Sequence, residues 1–150
     1  MASTLPGPVL FAYDGSDLAR RAIEQAGRQL AAGRDALVLC VWQPADVGFI
    51  PFDARHLHAQ NATEVQEAAQ QTAAHGASLA EDAGFTSESM AVEAAPTWKG
   101  IVETADARKA SLIVLGSHSR SGLVRHVIGS VAAAVVAHSA SSVLVVHHES

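Results

Sequence analysis

The stretch SLIVLGSHSRSGLVRHVIGS, Ser111 to Ser130, decides how the chain is read. A short apolar run ends in a loop of glycine and serine, and the Ala/Val-rich segment that begins at Ser130 has the make-up of a helix. A strand, a Gly/Ser loop and a helix start together form a common phosphate-holding device. The unpaired N–H groups of the first turn and the helix dipole both attract an anion. One position fits badly. Ser119 stands where a tight phosphate-binding turn would place glycine.

The flanking segments supply the architecture around that stretch. Pro8 to Tyr13 reads as a buried strand, closed by Asp14-Gly15-Ser16, with Ser16 or Asp17 able to cap a helix. Ala19, Ala22, Ile23, Ala26 and Leu30 then recur at helical spacing, and Gly33 is the expected helix stop. Ala36 to Trp42 is a second apolar strand. A long connection follows, residues 43–61, with Pro44, Gly48 and Pro51, of a length common in functional lids. A helix is expected over Ala62 to Ala83, with Val65, Ala69, Leu79 and Ala80 on its apolar side. Ser87 to Ala94 alternates polar and apolar residues, as an edge strand does. Pro96 and Thr97 open a helix to about Ala107, Ser130 to His138 forms another, and Ser142 to His147 closes the chain as a strand. Strict β-α alternation with continuous apolar strands means a parallel sheet covered by helices on both faces.

The bulk numbers agree with a single folded domain spanning residues 1–150. The chain is 49% hydrophobic and 17% charged, which argues against disorder, and no repeat, low-complexity tract or domain boundary interrupts it. Its net charge of −5 makes duplex nucleic acid or an anionic membrane an unsuitable main partner. Every acidic residue except Glu149 lies at or before Asp106, so the Gly/Ser loop is kept clear of negative charge. The lone cysteine, Cys40, excludes an intramolecular disulfide framework and fits a reducing compartment. The N-terminus lacks the basic region of a signal peptide, and no apolar run is long enough to span a bilayer. A cytoplasmic location is the expectation.

Ligands of open parallel sheets bind at the carboxyl ends of strands, where the strand order reverses. Three loops leave such ends here: YDGS, VWQP and GSHSRSG. They offer the Asp14 carboxylate, a run of small residues and the helix start at Gly129-Ser130, a set that suits a nucleotide. Three familiar alternatives fail by spacing. Ser121 stands where a P-loop needs its second glycine, and no lysine follows. Ser117 occupies the first glycine position of a nucleophile elbow, and no strand is followed by Gly-x-Gly-x-x-Gly.

The segments VLFAYDGSDLARRAI and LIVLGSHSRSGLVRHVIGSVAAAVVAHSASSVLVV, with their separation, resemble the universal stress protein family over essentially the whole chain. Nucleotide-binding members of that family carry Gly-x-x-Gly, nine residues, then Gly-Ser or Gly-Thr. Gly116, Ser119, nine residues and Gly129-Ser130 keep the spacing and replace one glycine. The resemblance implies a doubly wound five-stranded sheet of order 3-2-1-4-5, the fold also described as adenine nucleotide alpha hydrolase-like. It implies ATP with Mg²⁺ as ligand, with Asp14 and the backbone of Val41 near adenine, and Gly116, Gly129 and Ser130 near ribose and phosphates. It further implies a homodimer through the C-terminal strand. The apolar SVLVV agrees, since an exposed edge of that kind needs covering. A serine held left-handed costs about 1–2 kcal/mol. About 1.4 kcal/mol is a tenfold loss of affinity. The hydroxyls of Ser117, Ser119 and Ser121 can themselves donate to phosphate.

Plainer roles compete for several of these residues. Asp14 can simply stabilise its turn. His118 and His126 have no carboxylate near them in sequence, so neither is expected to act as a base. The pairs His56/His58 and His147/His148 lack a third metal ligand at a recognisable spacing. Cys40 fits core packing, Trp42 and Trp98 either packing or a pocket wall, and Arg120 and Arg125 either phosphate contact or loop solubility. Together these readings point to a stress-response sensor or regulator that works by binding ATP, not by turning it over. The alternative is an interaction module of the same fold that acts through its dimer and helix surfaces without nucleotide.

Overall fold

The computed structural model describes residues 6–43, 62–118 and 128–148. Strands and helices alternate along the chain. They are β1 (Val9–Ala12), α1 (Asp17–Gln29), β2 (Asp35–Trp42), α2 (Ala62–Asp82), β3 (Thr86–Glu93), α3 (Thr97–Ala107), β4 (Leu112–Gly116), α4 (Ser130–His138) and β5 (Ser142–Val146). The strands form one parallel five-stranded sheet of order β3-β2-β1-β4-β5. At its centre Phe11 of β1 lies opposite Val38 of β2 on one side and Val114 of β4 on the other.

The apolar character of the central strands follows from what covers them. Val9, Phe11, Val38 and Val114 face α1 and α2, where Ala19, Ala22, Ile23, Ala26 and Ala80 complete one core. Leu10, Leu37, Leu39, Ile113 and Leu115 face the other way, against Ile101, Val102 and Ala105 of α3 and Ala132 and Val135 of α4. Each fully buried Leu, Ile or Phe contributes about 1.5–3 kcal/mol of transfer free energy. β3 has one neighbouring strand, β2, along its full length, and its side chains are half-buried or exposed. The alternating pattern of Ser87 to Ala94 thus marks an edge, as expected.

Local chemistry sets the element ends. Ser16 caps α1, its Oγ accepting the Ala19 N–H at 3.2 Å. Gly33 is not the residue that ends α1. The helix stops at Gln29 because Leu30 turns extended, with its N–H on the Ala26 carbonyl. Gly33 instead adopts φ +83° in the turn into β2 and donates its N–H to Gly84 of the matching turn before β3. α2 lies close on the sheet because Gly76 carries no side chain. A Cβ there would come within 2.7 Å of Tyr13 and Val38. Beside that contact Cys40 and Trp42 pack with Val65, Ala69 and Ala73. Trp98 packs on the α3/α4 face and stacks on His138, ring centroids 4.2 Å apart. Of the two tryptophan readings, packing holds for both.

Candidate functional site

The sheet order reverses between β1 and β4, because the chain leaves β1 towards β2 and returns to its other side as β4. At the carboxyl ends of these strands lies a crevice of about 280 Å³. Asp14, Val41, Gly116, Ser117, Gly129 and Ser130, all singled out from sequence, line it together. The seventh such residue, Ser119, lies outside the described residues, as do Arg120, Arg125, His126, His56 and His58.

The turn after β1 brings Asp14 to this place. Gly15 has φ +84°, a conformation that costs glycine nothing. Asp14 Oδ1 accepts the Ser16 N–H at 2.9 Å. The plainer reading of Asp14, as a turn stabiliser, therefore holds at the same time as its place in the crevice wall.

Ser117 is the hub of the opposite wall. Its N–H donates to the Val146 carbonyl at 2.8 Å and ties the end of β4 to β5. Its carbonyl accepts the Gly129 N–H at 2.6 Å and so fixes where α4 begins. The residue is 1% exposed, and its hydroxyl lies 3.1 Å from His118 Nδ1. Gly129 has an ordinary extended backbone, so its need for glycine is one of space. A Cβ would sit 3.0 Å from the Ser117 carbonyl oxygen. Gly116 is tight in the same way, its Cβ position 2.8 Å from Leu18 Cγ of α1. Among the described residues no side chain caps α4, and Gly129, Ser130, Val131 and Ala132 at its start line the crevice.

Several lining residues carried no motif. Leu39, Ile101, Leu115 and Ala132 make the middle of the crevice apolar, and Gln43 and Thr97 supply polar groups at its β2/α3 side. Their only sequence signal was their place on the apolar strands and helices that flank the crevice. His118 also lines the crevice. His147 and His148 are exposed after β5, and among the described residues no group of three or more His, Cys, Asp or Glu side chains gathers.

A doubly wound parallel sheet with a crevice at its switch point defines a class of α/β proteins. Within that class the chain belongs to the universal stress protein family, whose pattern matches residues 7–147. A universal stress protein of Methanocaldococcus jannaschii is 30% identical over 138 residues, 92% of this chain and 80% of the relative. The fold of the hypothetical protein MJ0577 superposes with a TM-score of 0.78 at 22% identity, covering 98% of this chain and 99% of that one. A universal stress protein solved in complex with cAMP superposes with a TM-score of 0.65 at 28% identity, covering 96% and 98%. No helix among the described residues is long and apolar enough to cross a membrane.

Proposed function

We propose that this universal stress protein binds an adenine nucleotide in the switch-point crevice, with ATP and Mg²⁺ as its working ligand. Binding, rather than turnover, is its signalling event. The observation that carries the reading is the meeting of Asp14, Val41, Gly116, Ser117, Gly129 and Ser130 around one cavity, which the start of α4 lines with no side-chain cap among the described residues. Phosphate would take the N-terminal turn of α4, where N–H groups and dipole favour negative charge. The base would take the apolar middle between Val41 and Ile101. The cAMP complex of a relative supports an adenine ligand for this crevice. Asp14 is the one carboxylate lining it among the described residues, which suits a magnesium ion held chiefly by phosphate oxygens and water.

The partner in this reading is a second copy. β5 lies at the end of the sheet order, so among the described residues one side of its backbone has no neighbouring strand. Its Val143, Leu144 and Val145 are only half-buried. Pairing of two such edges satisfies the ladder and covers the apolar side chains. The sensor role in the cytoplasm rests on this combination of nucleotide and dimer.

Calorimetric titration of nucleotide-stripped protein with ATP and Mg²⁺ tests the proposal. Saturable micromolar binding supports it. No binding at millimolar ATP overturns it and favours an interaction module. Steady ADP production that Gly129→Asp abolishes would overturn the binding-only part, and a monomeric mass in sedimentation the dimer.

A further inference from the structure

His118 stands at the end of the wall that Ser117 anchors, and the chain around it aims its ring. Ser117 is held on both sides by its backbone, through the Val146 carbonyl and the Gly129 N–H. Its buried hydroxyl lies 3.1 Å from His118 Nδ1, which fixes that edge of the imidazole. The opposite edge lies towards the start of α4. Its Cδ2 is 3.7 Å from the position a Gly129 Cβ would take, and Nε2 is the nitrogen bonded to Cδ2. Among the described residues the contact with Ser117 is the one hydrogen bond of the ring. We propose that His118 is a pH-dependent phosphate ligand, whose protonated ring donates from Nε2 to the anion seated at α4 and tightens nucleotide binding as the pH falls. The proposal rests on the nucleotide reading above and adds its regulation.

The chemistry is that of a side chain with two charge states. Imidazole in an ordinary environment changes charge between about pH 5 and pH 8. The neutral ring has one donor nitrogen and one acceptor, and the imidazolium has two donors. A neutral ring that donates from Nδ1 to the Ser117 hydroxyl turns a lone pair on Nε2 towards phosphate. A proton converts that lone pair into a donor and adds a positive charge. Charge-assisted hydrogen bonds are roughly twice as strong as neutral ones. A ligand that prefers the protonated ring binds most tightly at low pH, and the gain is lost as the pH rises and the proton leaves. Glycine at 129 leaves the ring its room, since a Cβ there would also come within 3.4 Å of His118 Cα.

The elements next to the ring carry other charged or titratable groups. These are Tyr13 and Asp14 after β1, Asp17 and Arg21 on α1, and His147 and His148 after β5. Tyr13 and Asp14 line the crevice with His118. Asp14 has the sign that suits a positive ring, and the Tyr13 phenol is neutral over this range. The residues of α4 that line the crevice bring no charge.

Calorimetry of the full chain with ATP and Mg²⁺, at about pH 5.5 and about pH 8, tests the proposal. Wild type is compared with His118→Gln, which keeps a donor and does not titrate. The quotient of the two affinities cancels the titration of the nucleotide's own phosphates and of the other histidines. It should rise about tenfold from the higher pH to the lower. Ser117→Ala removes the hydroxyl that orients the ring and keeps the backbone bonds, so it should lose part of that rise. Circular dichroism at both pH values checks that the variants are folded. A quotient equal at both pH values would make His118 a packing residue, and one that falls in acid would make the neutral ring the ligand. Either result overturns the proposal and leaves nucleotide binding standing. No ATP binding by wild type at either pH would bring down the nucleotide reading, and the proposal with it.

Discussion

Two strand–loop–helix crossings start from neighbouring strands at the centre of this sheet, and they treat their helix ends in opposite ways. After β1 the loop closes on itself. Asp14 takes the Ser16 N–H, and the Ser16 hydroxyl takes the Ala19 N–H, so α1 begins with its donors partly spent on its own chain. After β4 the corresponding helix, α4, has Gly129 at its N-cap and no side-chain cap among the described residues, and the Gly129 N–H is held by the Ser117 carbonyl. Both helix starts have the dipole that favours an anion. Of these two helices, α4 is the one whose first turn meets no capping side chain among the described residues. A protein can thus decide which helix end receives a ligand by where it places a capping hydroxyl, with the same backbone architecture at both.

The harshest way to break this comparison is to close the open end. Gly129→Asp puts a carboxylate where phosphate would sit and a Cβ 3.0 Å from the Ser117 carbonyl oxygen. ATP affinity should fall by about a hundredfold or more, some 2.7 kcal/mol. Calorimetry reads the loss, and circular dichroism checks that the helices persist. Gly129→Ala adds the same Cβ without the charge, so it should lose much less. Equal losses in the two variants would mean that space, not charge, governs the open end.

Tightening the ground between the two crossings should come next in size. Gly116→Ala places a Cβ 2.8 Å from Leu18 Cγ, at the junction of β4 and α1. Overpacking of that kind costs about 1–3 kcal/mol. The midpoint of urea unfolding should drop accordingly, and ATP should restore part of it by mass action. An unmoved midpoint would show that α1 yields freely there, and that the two crossings are less tightly fitted than the contact implies. Ser119→Gly acts on the loop of the open crossing and restores the glycine of the motif. It should tighten ATP binding by up to about tenfold where strain is the penalty. Unchanged or weaker binding would assign the Ser119 hydroxyl a phosphate contact.

The sequence was most legible where one local constraint dominated. Continuous apolar runs at Val9 to Ala12, Ala36 to Trp42 and Leu112 to Leu115 marked the buried central strands, and the alternation over Ser87 to Ala94 marked the edge. Strand order is a different matter. Periodicity does not encode it, and here it came from resemblance. Gly33 misled because a glycine near a helix end serves equally well as a stop or as the turn beyond it, and the contact with Gly84 decided between them. The motif spacing found the Gly116/Ser117 and Gly129/Ser130 side of the crevice, which is built from residues near one another in sequence. Gln43 and Thr97 meet across 54 positions, and no local pattern records such a contact.

The mildest change tests the comparison from its closed side. Ser16→Ala removes the hydroxyl that caps α1 and leaves the Ala19 N–H without it. Loss of such a cap costs about 1 kcal/mol of stability, so thermal unfolding should shift down by several degrees. ATP affinity should stay within about twofold of wild type, because the proposed phosphate seat is the first turn of α4, while Ala19, which also lines the crevice, lies on α1. If affinity changed instead, with stability held, α1 would be contributing to the ligand site. The division between a self-satisfied helix start and an open one would then have to be redrawn, with both helix dipoles acting on one anion.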